Sequence, residues 1–568
     1  MKKSKVMIPL LGTVIVALTI CIIVFIKINM PSKEHMSLDK YFDAKQGSIS
    51  VIMQDSIYEN KGLYQDGHIY LDIDLIKKYI NKRFYWDNNE NLLLYATPDN
   101  LVSVELDSND YRVNKSKASQ DYKIVTLSEN KAYVALDFVK EYSAVDYVKY
   151  DKPDRVVITY RYNEKEKMVK AADDTQLRYK PDIKSPVLAD VKKDDELHML
   201  EQENKETGFC KAMTKDGVIG YVKGKKLGEM YDFTPVTDFK EEKYSHILMD
   251  EKVNLVWHQV TNRAANGNLT SLLSGTKGVN VVSPTWFKTS DNNGNIDSIA
   301  DYSYVEKAHK AGLQVWGLCD DFSPEMKIGK VLGTTSRRQR LEKNLIAEAI
   351  RYSLDGINID FENVKRDSGE DFIQFIRELS IMCRNNGIVL SIDDTPPAEY
   401  SEYYNRTEQA EVADYVIIMA YDEYYPGSEE AGPVSSLSYV QNAVENTLKQ
   451  VPKEQTIIGL PFYSRLWTEK TKDGNVILSS EAYSMPFLEE ILKDKKADIT
   501  WDEERGLDYA EYNKGNAVCK AWIENEKSLK KKLDAVSKGD TAGVAFWKLG
   551  MEKENVWNTI AKYMSGSK

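Results

Sequence analysis

The sequence predicts an α/β chain whose C-terminal part is a (β/α)8 barrel with a small insertion after its seventh strand. A small α+β domain and a small β-rich domain precede the barrel, and an N-terminal transmembrane helix precedes both. Three observations carry this reading. The stretch VMIPLLGTVIVALTICIIVFI has no charged residue and, at about 21 residues, is long enough to span a bilayer. From 36 to 229 short strand-like runs are separated by frequent polar turns. From 244 onward eight apolar runs of strand type alternate with segments of helical period.

Size and composition set the frame. A chain of 568 residues exceeds one ordinary domain and suggests about three or four. Hydrophobic residues at 42% and charged residues at 29% are ordinary for globular protein and argue against large-scale disorder. The net charge of −12 argues against a nucleic-acid partner, which favours a basic face. The 35 tyrosines fit sugar-stacking surfaces and tyrosine-rich β-structure equally well.

At the N-terminus Lys2, Lys3 and Lys5 precede the apolar run and Lys27 follows it. The basic flank is expected to stay in the cytoplasm. A cleaved signal peptide has a shorter apolar region and an A-x-A site, which this stretch lacks. LTIC at 18–21 carries the large Ile20 where a lipoprotein cleavage site needs a small residue. The expected plan is a cytoplasmic tail at 1–5 and an anchor at 6–28, with the rest of the chain outside the cell. Cys21 lies in the span, and Cys210, Cys319, Cys383 and Cys519 are scattered without disulfide or zinc spacing. The six histidines show no paired-ligand pattern, so neither a metal nor another cofactor is expected.

The α+β segment, 36–163, contains ISVIMQDSIY, GHIYLDIDLIKKYI, RFYWDNNENLLLYA, KAYVALDFVKEY and DRVVITYRY. The β-rich segment, 167–229, contains TQLRYKPDIKSPVLADVKKDDELHML and FCKAMTKDGVIGYVKGKKL, with turns at Gly217 and Gly220 beside Tyr221 and Val222. In the barrel segment, 244–568, the strand candidates are NLVWHQV (254–260), VNVVSP (279–284), LQVWGLC (313–319) and DGINIDF (355–361). IVLSID (388–393), ADYVIIMAY (413–421), TIIGLPF (456–462) and AGVAFWKL (542–549) complete the set. SYVEKAHKAG, RQRLEKNLIAEAIRY, EDFIQFIRELSIMCRNNG and LSYVQNAVENTLKQ supply helices, with Gly312 and Gly387 at C-cap positions. A doubly wound open sheet is the competing fold, but no G-x-G-x-x-G follows the first strand. The gap 465–512 is too long for a simple loop and is assigned to the insertion.

One strand carries chemistry. In LDGINIDFENV, Asn358, Asp360 and Glu362 alternate with Ile357, Ile359 and Phe361. Residues two apart share a strand face, so the polar set is expected to enter the barrel towards its C-terminal mouth, where active sites of this architecture lie. Two carboxylates about 7 Å apart in a poorly hydrated site push their proton affinities apart, leaving one protonated near neutral pH. That suits a general acid. An exposed edge strand or pairing with Lys or Arg is the structural alternative.

DGINIDFE resembles the D-x-x-D-x-D-x-E signature of glycoside hydrolase family 18, with Asp355, Asn358, Asp360 and Glu362 at its four positions. MAYD (419–422), LPFYSR (460–465) and Trp547 match the family at the ends of strands six, seven and eight. DGINIDFENV, LPFYSRLW, AWIENEKS and VAFWKLGME look closest to its bacterial spore-germination and cell-wall branch. The 36–163 segment resembles the copper amine oxidase N-terminal domain, which implies an accessory module. The 167–229 segment looks like a bacterial SH3-type domain, which implies either a wall-binding module or a spacer.

The family resemblance implies substrate-assisted hydrolysis of N-acetylglucosamine-containing glycan. Glu362 would be the acid, Asp360 would orient the substrate acetamide, and Tyr421 would bind its oxygen. Met419 and Asp422 would shape that wall, Trp547 would floor the reacting sugar, and Tyr463 would line its side. Asn358 departs from the family's usual Asp; an amide donates and accepts hydrogen bonds but cannot take charge. Trp286, in SPTWF, either stacks on sugar or caps the barrel. Peptidoglycan is the first expected partner, with chitin-like glycan or a non-hydrolytic glycan scaffold as alternatives.

Overall fold

The structure is a computed structural model that describes residues 7–472 and 475–566. The expected cytoplasmic tail, 1–5, and the first residue of the expected anchor lie outside the described residues. Helix Met7–Asn29 is 23 residues long, roughly 35 Å at 1.5 Å per residue, and is apolar enough to cross a bilayer.

The chain divides into two compact units, one of residues up to 86 with 103–241, the other of 87–102 with the chain from 242 onward. The first unit holds two seven-stranded sheets. In one, Ser48–Ile52 pairs in parallel with Arg155–Thr159 and the remaining neighbours run antiparallel. After Met7–Asn29, helix in this unit comes only in short pieces among the described residues, such as Ile73–Leu75 and Leu136–Glu141. Asp72 starts the first of these because its carboxylate accepts from Leu75 N at 2.9 Å. The second sheet, from Glu166–Ala171 to Leu227–Phe233, is antiparallel throughout.

The second unit contains eight parallel strands: β1 (Val253–His258), β2 (Val281–Thr289), β3 (Gln314–Asp320), β4 (Gly356–Asp360), β5 (Val389–Asp394), β6 (Tyr415–Met419), β7 (Thr456–Pro461) and β8 (Gly543–Trp547). Each pairs with the next, and β8 pairs with β1 to close the barrel. Alternation along the strands separates two cores. Leu255, Trp257, Trp316, Leu318, Tyr415 and Ile417 fill the interior. Ile357, Ile359 and Phe361 face outward onto Phe372, Phe375 and Leu379 of helix Gly369–Asn386. That helix ends at Gly387, whose φ of +67° suits a residue without Cβ.

The glycine that opens β4 has a packing cause. A Cβ on Gly356 would lie 2.6 Å from Trp316 Cδ1, and Trp316 stacks on Tyr415 across the barrel floor with ring centroids 5.4 Å apart. The first Asp of the motif, Asp355, belongs to that lower end. Its carboxylate accepts from Val315 N at 2.8 Å and meets His309 Nε2 at 2.8 Å, which makes it a structural tie. The insertion is larger than the expected gap. It is a five-stranded antiparallel sheet running from Tyr463–Lys472 to Ala517–Ile523, with helix Met485–Asp494 packed on it.

Candidate active site

The expected alternation holds as far as Asp360. Asn358 and Asp360 are buried inside the barrel, but β4 ends at Asp360, so Glu362 stands beyond the strand, exposed at the C-terminal mouth. Glu362 lies past the hydrogen-bonded ladder, yet its charge acts on Asp360, Asp393 and Tyr421, so it overlooks the barrel interior from the mouth.

Asn358 ties four strands together. Its Nδ2 donates to Asp393 Oδ1 on β5 at 2.8 Å, and its Oδ1 accepts from Trp257 Nε1 on β1 and Ser283 Oγ on β2, both at 3.0 Å. An indole donor on one side and a carboxylate acceptor on the other fix which way the amide points. Asp360 lies one strand repeat above, 5% exposed, and its Oδ1 has no hydrogen-bond partner among the described residues. Burial pushes the Asp360 carboxyl well above the usual aspartate range, with Asp393, Glu362, Asp320 and Asp321 adding repulsion. Burial raises Asp393 likewise, opposed by its hydrogen bond from Asn358.

Glu362 is held by Asp321, the residue just past β3. Asp321 Oδ1 accepts from Glu362 N at 3.2 Å and Asn363 Nδ2 at 3.0 Å, while Oδ2 accepts from Asn363 N at 3.0 Å. Partial burial, then the charges of Asp321 and Asp422, raise Glu362 to about 7. Burial raises Asp321 to about 6, against the pull of its hydrogen bonds from Asn363 and Glu362. Between those values Asp321 is charged while Glu362 keeps its proton.

The opposite wall comes from β6, β7 and β8. Met419 ends β6, buried, and Tyr421 follows, its ring centroid 6.3 Å from Trp257 and 6.5 Å from Tyr463. Burial, with Asp393, Asp360, Tyr463 and Glu362 around it, keeps the Tyr421 hydroxyl protonated. Asp422 adopts φ of +53°, and its Oδ1 accepts from Tyr463 OH at 2.5 Å. Trp547 ends β8, half-buried, 6.0 Å from Trp257. The sequence-derived residues thus gather at the strand C-termini around Trp257.

Trp286 is not among them. It is 2% exposed in the outward core, packed on Tyr304 and donating to Asn266 Oδ1 at 2.7 Å. Trp257, Ser283, Asp321 and Asp393 belong to the site but escaped the sequence reading. The signals were there in LCDDF and SIDD, which end β3 and β5 in carboxylates.

Comparison with known proteins agrees with the barrel fold. Residues 320–552 match the model of glycosyl hydrolases family 18, and residues 52–159 match the copper amine oxidase N-terminal domain. The matched stretch runs from the end of β3 past β8, and this part of the barrel is similar to a family 18 glycoside hydrolase domain. The chain is 25% identical over 287 residues to the uncharacterized glycosylase YvbX of Bacillus subtilis (strain 168), covering 48% of this chain and 81% of that one. It is 24% identical over 244 residues to the cortical fragment-lytic enzyme of the same organism, covering 42% of this chain and 56% of that one. The solved chitinase from Chromobacterium violaceum ATCC 12472 shares the fold, with a TM-score of 0.50 and 19% identity over 56% of this chain and 100% of that one.

Proposed function

We propose that this protein is a membrane-anchored, extracellular retaining glycosidase that hydrolyses N-acetylglucosamine-containing glycan, foremost peptidoglycan, by substrate-assisted catalysis. One observation carries the reading: an acid raised to about 7, Glu362, stands at the mouth beside Asp360, whose buried Oδ1 has no hydrogen-bond partner among the described residues. Glu362 gives its proton to the glycosidic oxygen as the C1–O bond breaks. The carbonyl oxygen of the sugar's own 2-acetamido group bonds to C1 and forms an oxazolinium ion. Asp360 accepts the acetamide N–H, and the developing positive charge favours its ionised form. Tyr421 donates to the acetamide oxygen, Trp547 floors the sugar, and Tyr463, held by Asp422, closes the side with Met419. Glu362, now ionised, takes a proton from water that attacks C1 from the face the leaving group left, breaking the C1–O bond to the acetamide oxygen and restoring the acetamide, so configuration is retained.

Several features support the wall as target. One relative is a cortical fragment-lytic enzyme, helix Met7–Asn29 suits an anchor at 6–28, and the domain at 167–229 reads as an SH3-like wall-binding module. Residues 36–163 form the accessory domain and 244–568 the catalytic barrel in this scheme. The test incubates the full chain, in detergent, with purified peptidoglycan and with chitin oligosaccharides, and identifies new reducing ends by mass spectrometry and their anomer by NMR. N-acetylglucosamine ends of retained configuration from peptidoglycan are expected. Inversion would refute the mechanism, cleavage of chitin alone would move the substrate, and binding without new ends would make the barrel a scaffold.

A further inference from the structure

Strand β4 pairs in parallel with β5, with Asn358 opposite Ser391 and Ile359 opposite Ile392. The next rung sets Asp360 beside Asp393, both on the inward face, with their strands about 4.8 Å apart. Asp393 is 2% exposed and Asp360 5%. Among the described residues no cation pairs with either; Arg406 meets the outward Asp394 instead, at 3.3 Å. Asp393 Oδ1 accepts from Asn358 Nδ2 at 2.8 Å, whereas Asp360 Oδ1 has no hydrogen-bond partner among the described residues. Asp393 heads the charges that oppose ionisation of Asp360, followed by Glu362, Asp320 and Asp321, and it also heads those around Tyr421. Glu362 and Asp394 oppose ionisation of Asp393 in turn. Two adjacent buried carboxyls without a cation resist carrying two charges, so the pair keeps one proton near neutral pH.

We propose that Asp393 is a positioning residue that takes the proton of Asp360 when substrate enters, so that Asp360 meets the acetamide N–H as a carboxylate. This rests on the glycosidase reading above. The O–H bond of Asp360 breaks and an O–H bond forms on Asp393; one proton and one negative charge stay in the pair throughout. Before the transfer the Asn358 amide stabilises the Asp393 carboxylate, and afterwards it donates to the carbonyl oxygen of the acid, so this hydrogen bond survives. The positive charge forming at C1 draws the negative charge to the Asp360 side of the pair. Without Asp393 the proton has to leave a buried carboxyl for solvent before Asp360 ionises.

The test measures kcat against pH, alongside thermal melts, for the full chain, D393N and the exchanged pair N358D/D393N on a soluble aryl chitobioside. In the wild type, activity is lost on the acid side only when the pair takes a second proton, which the hydrogen bond of the shared proton resists. In D393N a single proton on Asp360 suffices. The acidic limb of kcat is therefore expected to rise by about one pH unit, with kcat falling about tenfold at pH 5 and less at pH 6.5. N358D/D393N moves the carboxylate across the same hydrogen bond, keeps the number of charges, and is expected to return the limb to within about half a unit of the wild type. Should D393N melt below the assay temperature, the folded double variant decides alone by the same limb. A loss independent of pH in D393N, or a double variant whose limb stays raised, would overturn the assignment. A wild-type chain that cleaves neither this substrate nor peptidoglycan nor chitin oligosaccharides would instead overturn the glycosidase reading beneath it.

Discussion

Replacing Asp321 by asparagine removes a negative charge from the side chain that holds the acid-bearing loop. The carboxylate now serves two backbone N–H groups with separate oxygens, Glu362 N at 3.2 Å and Asn363 N at 3.0 Å. An amide has one acceptor oxygen, so one N–H faces an NH2 group, at a cost of about 1–3 kcal/mol in local order. The electrostatic effect has a definite sign. Asp321 titrates at about 6 and is ionised at pH 7, where it opposes ionisation of Glu362. Two unit charges 4 Å apart interact by about 4 kcal/mol at an effective dielectric of 20. Glu362 is exposed, so solvent screening reduces this to about 1.4 kcal/mol or less, which corresponds to up to about one pH unit. Glu362 must be protonated to act as acid, so the basic limb of kcat is expected to move from about 7 towards about 6 in D321N. A pH–rate profile on a soluble aryl chitobioside measures it, with kcat at pH 7.5 falling about three- to tenfold and much less at pH 5. An equal loss at every pH would leave Asp321 as a loop tether only. A limb displaced upward would refute the electrostatic reasoning.

Two other variants test different parts of the site and fold. D360N is expected to lower kcat about a hundredfold or more while stabilising the barrel increasingly from pH 4 to pH 8 in thermal melts. Burial raises the Asp360 pKa in the folded state, so the stability it contributes is present below the ordinary aspartate range and lost as pH rises through the folded value; asparagine escapes that loss. A melting difference independent of pH would contradict a buried, raised Asp360. R338M removes the partner of Glu378, a fully buried pair at 2.8 Å between helices Thr335–Tyr352 and Gly369–Asn386, and is expected to cost about 3–5 kcal/mol in urea denaturation. A loss below about 1 kcal/mol would show that the helices do not depend on the pair.

The barrel was legible because eight apolar runs alternate with helical segments, and strand ends fell within one or two residues except where a strand runs on. The last two residues of ADYVIIMAY lie beyond β6, and β2 extends to Thr289 through SPTWFKT, which the sequence reading ended at Pro284. Parity placed Asn358 and Asp360 correctly. For Glu362 parity alone does not decide, because β4 stops at Asp360, but its charge still reaches Asp360 and Tyr421. Trp257 was not singled out within NLVWHQV; it is buried, yet its indole N–H reaches the polar layer at Asn358. Asp321 and Asp393 were hidden by distance in sequence: only the closed barrel brings β3 and β5 to either side of β4. The insertion was underestimated because its first and last strands adjoin β7 and the helix Glu526–Gly539 without a composition break.

The most direct test of the central claim is single-turnover and steady-state hydrolysis of peptidoglycan glycan strands by the full chain and by E362Q. Loss of the acid is expected to lower kcat by about 10²–10⁴ with glycan binding retained, and new N-acetylglucosamine reducing ends should vanish with it. Equal release of reducing ends by E362Q and the wild type would contradict Glu362 as the proton donor and the mechanism built on it.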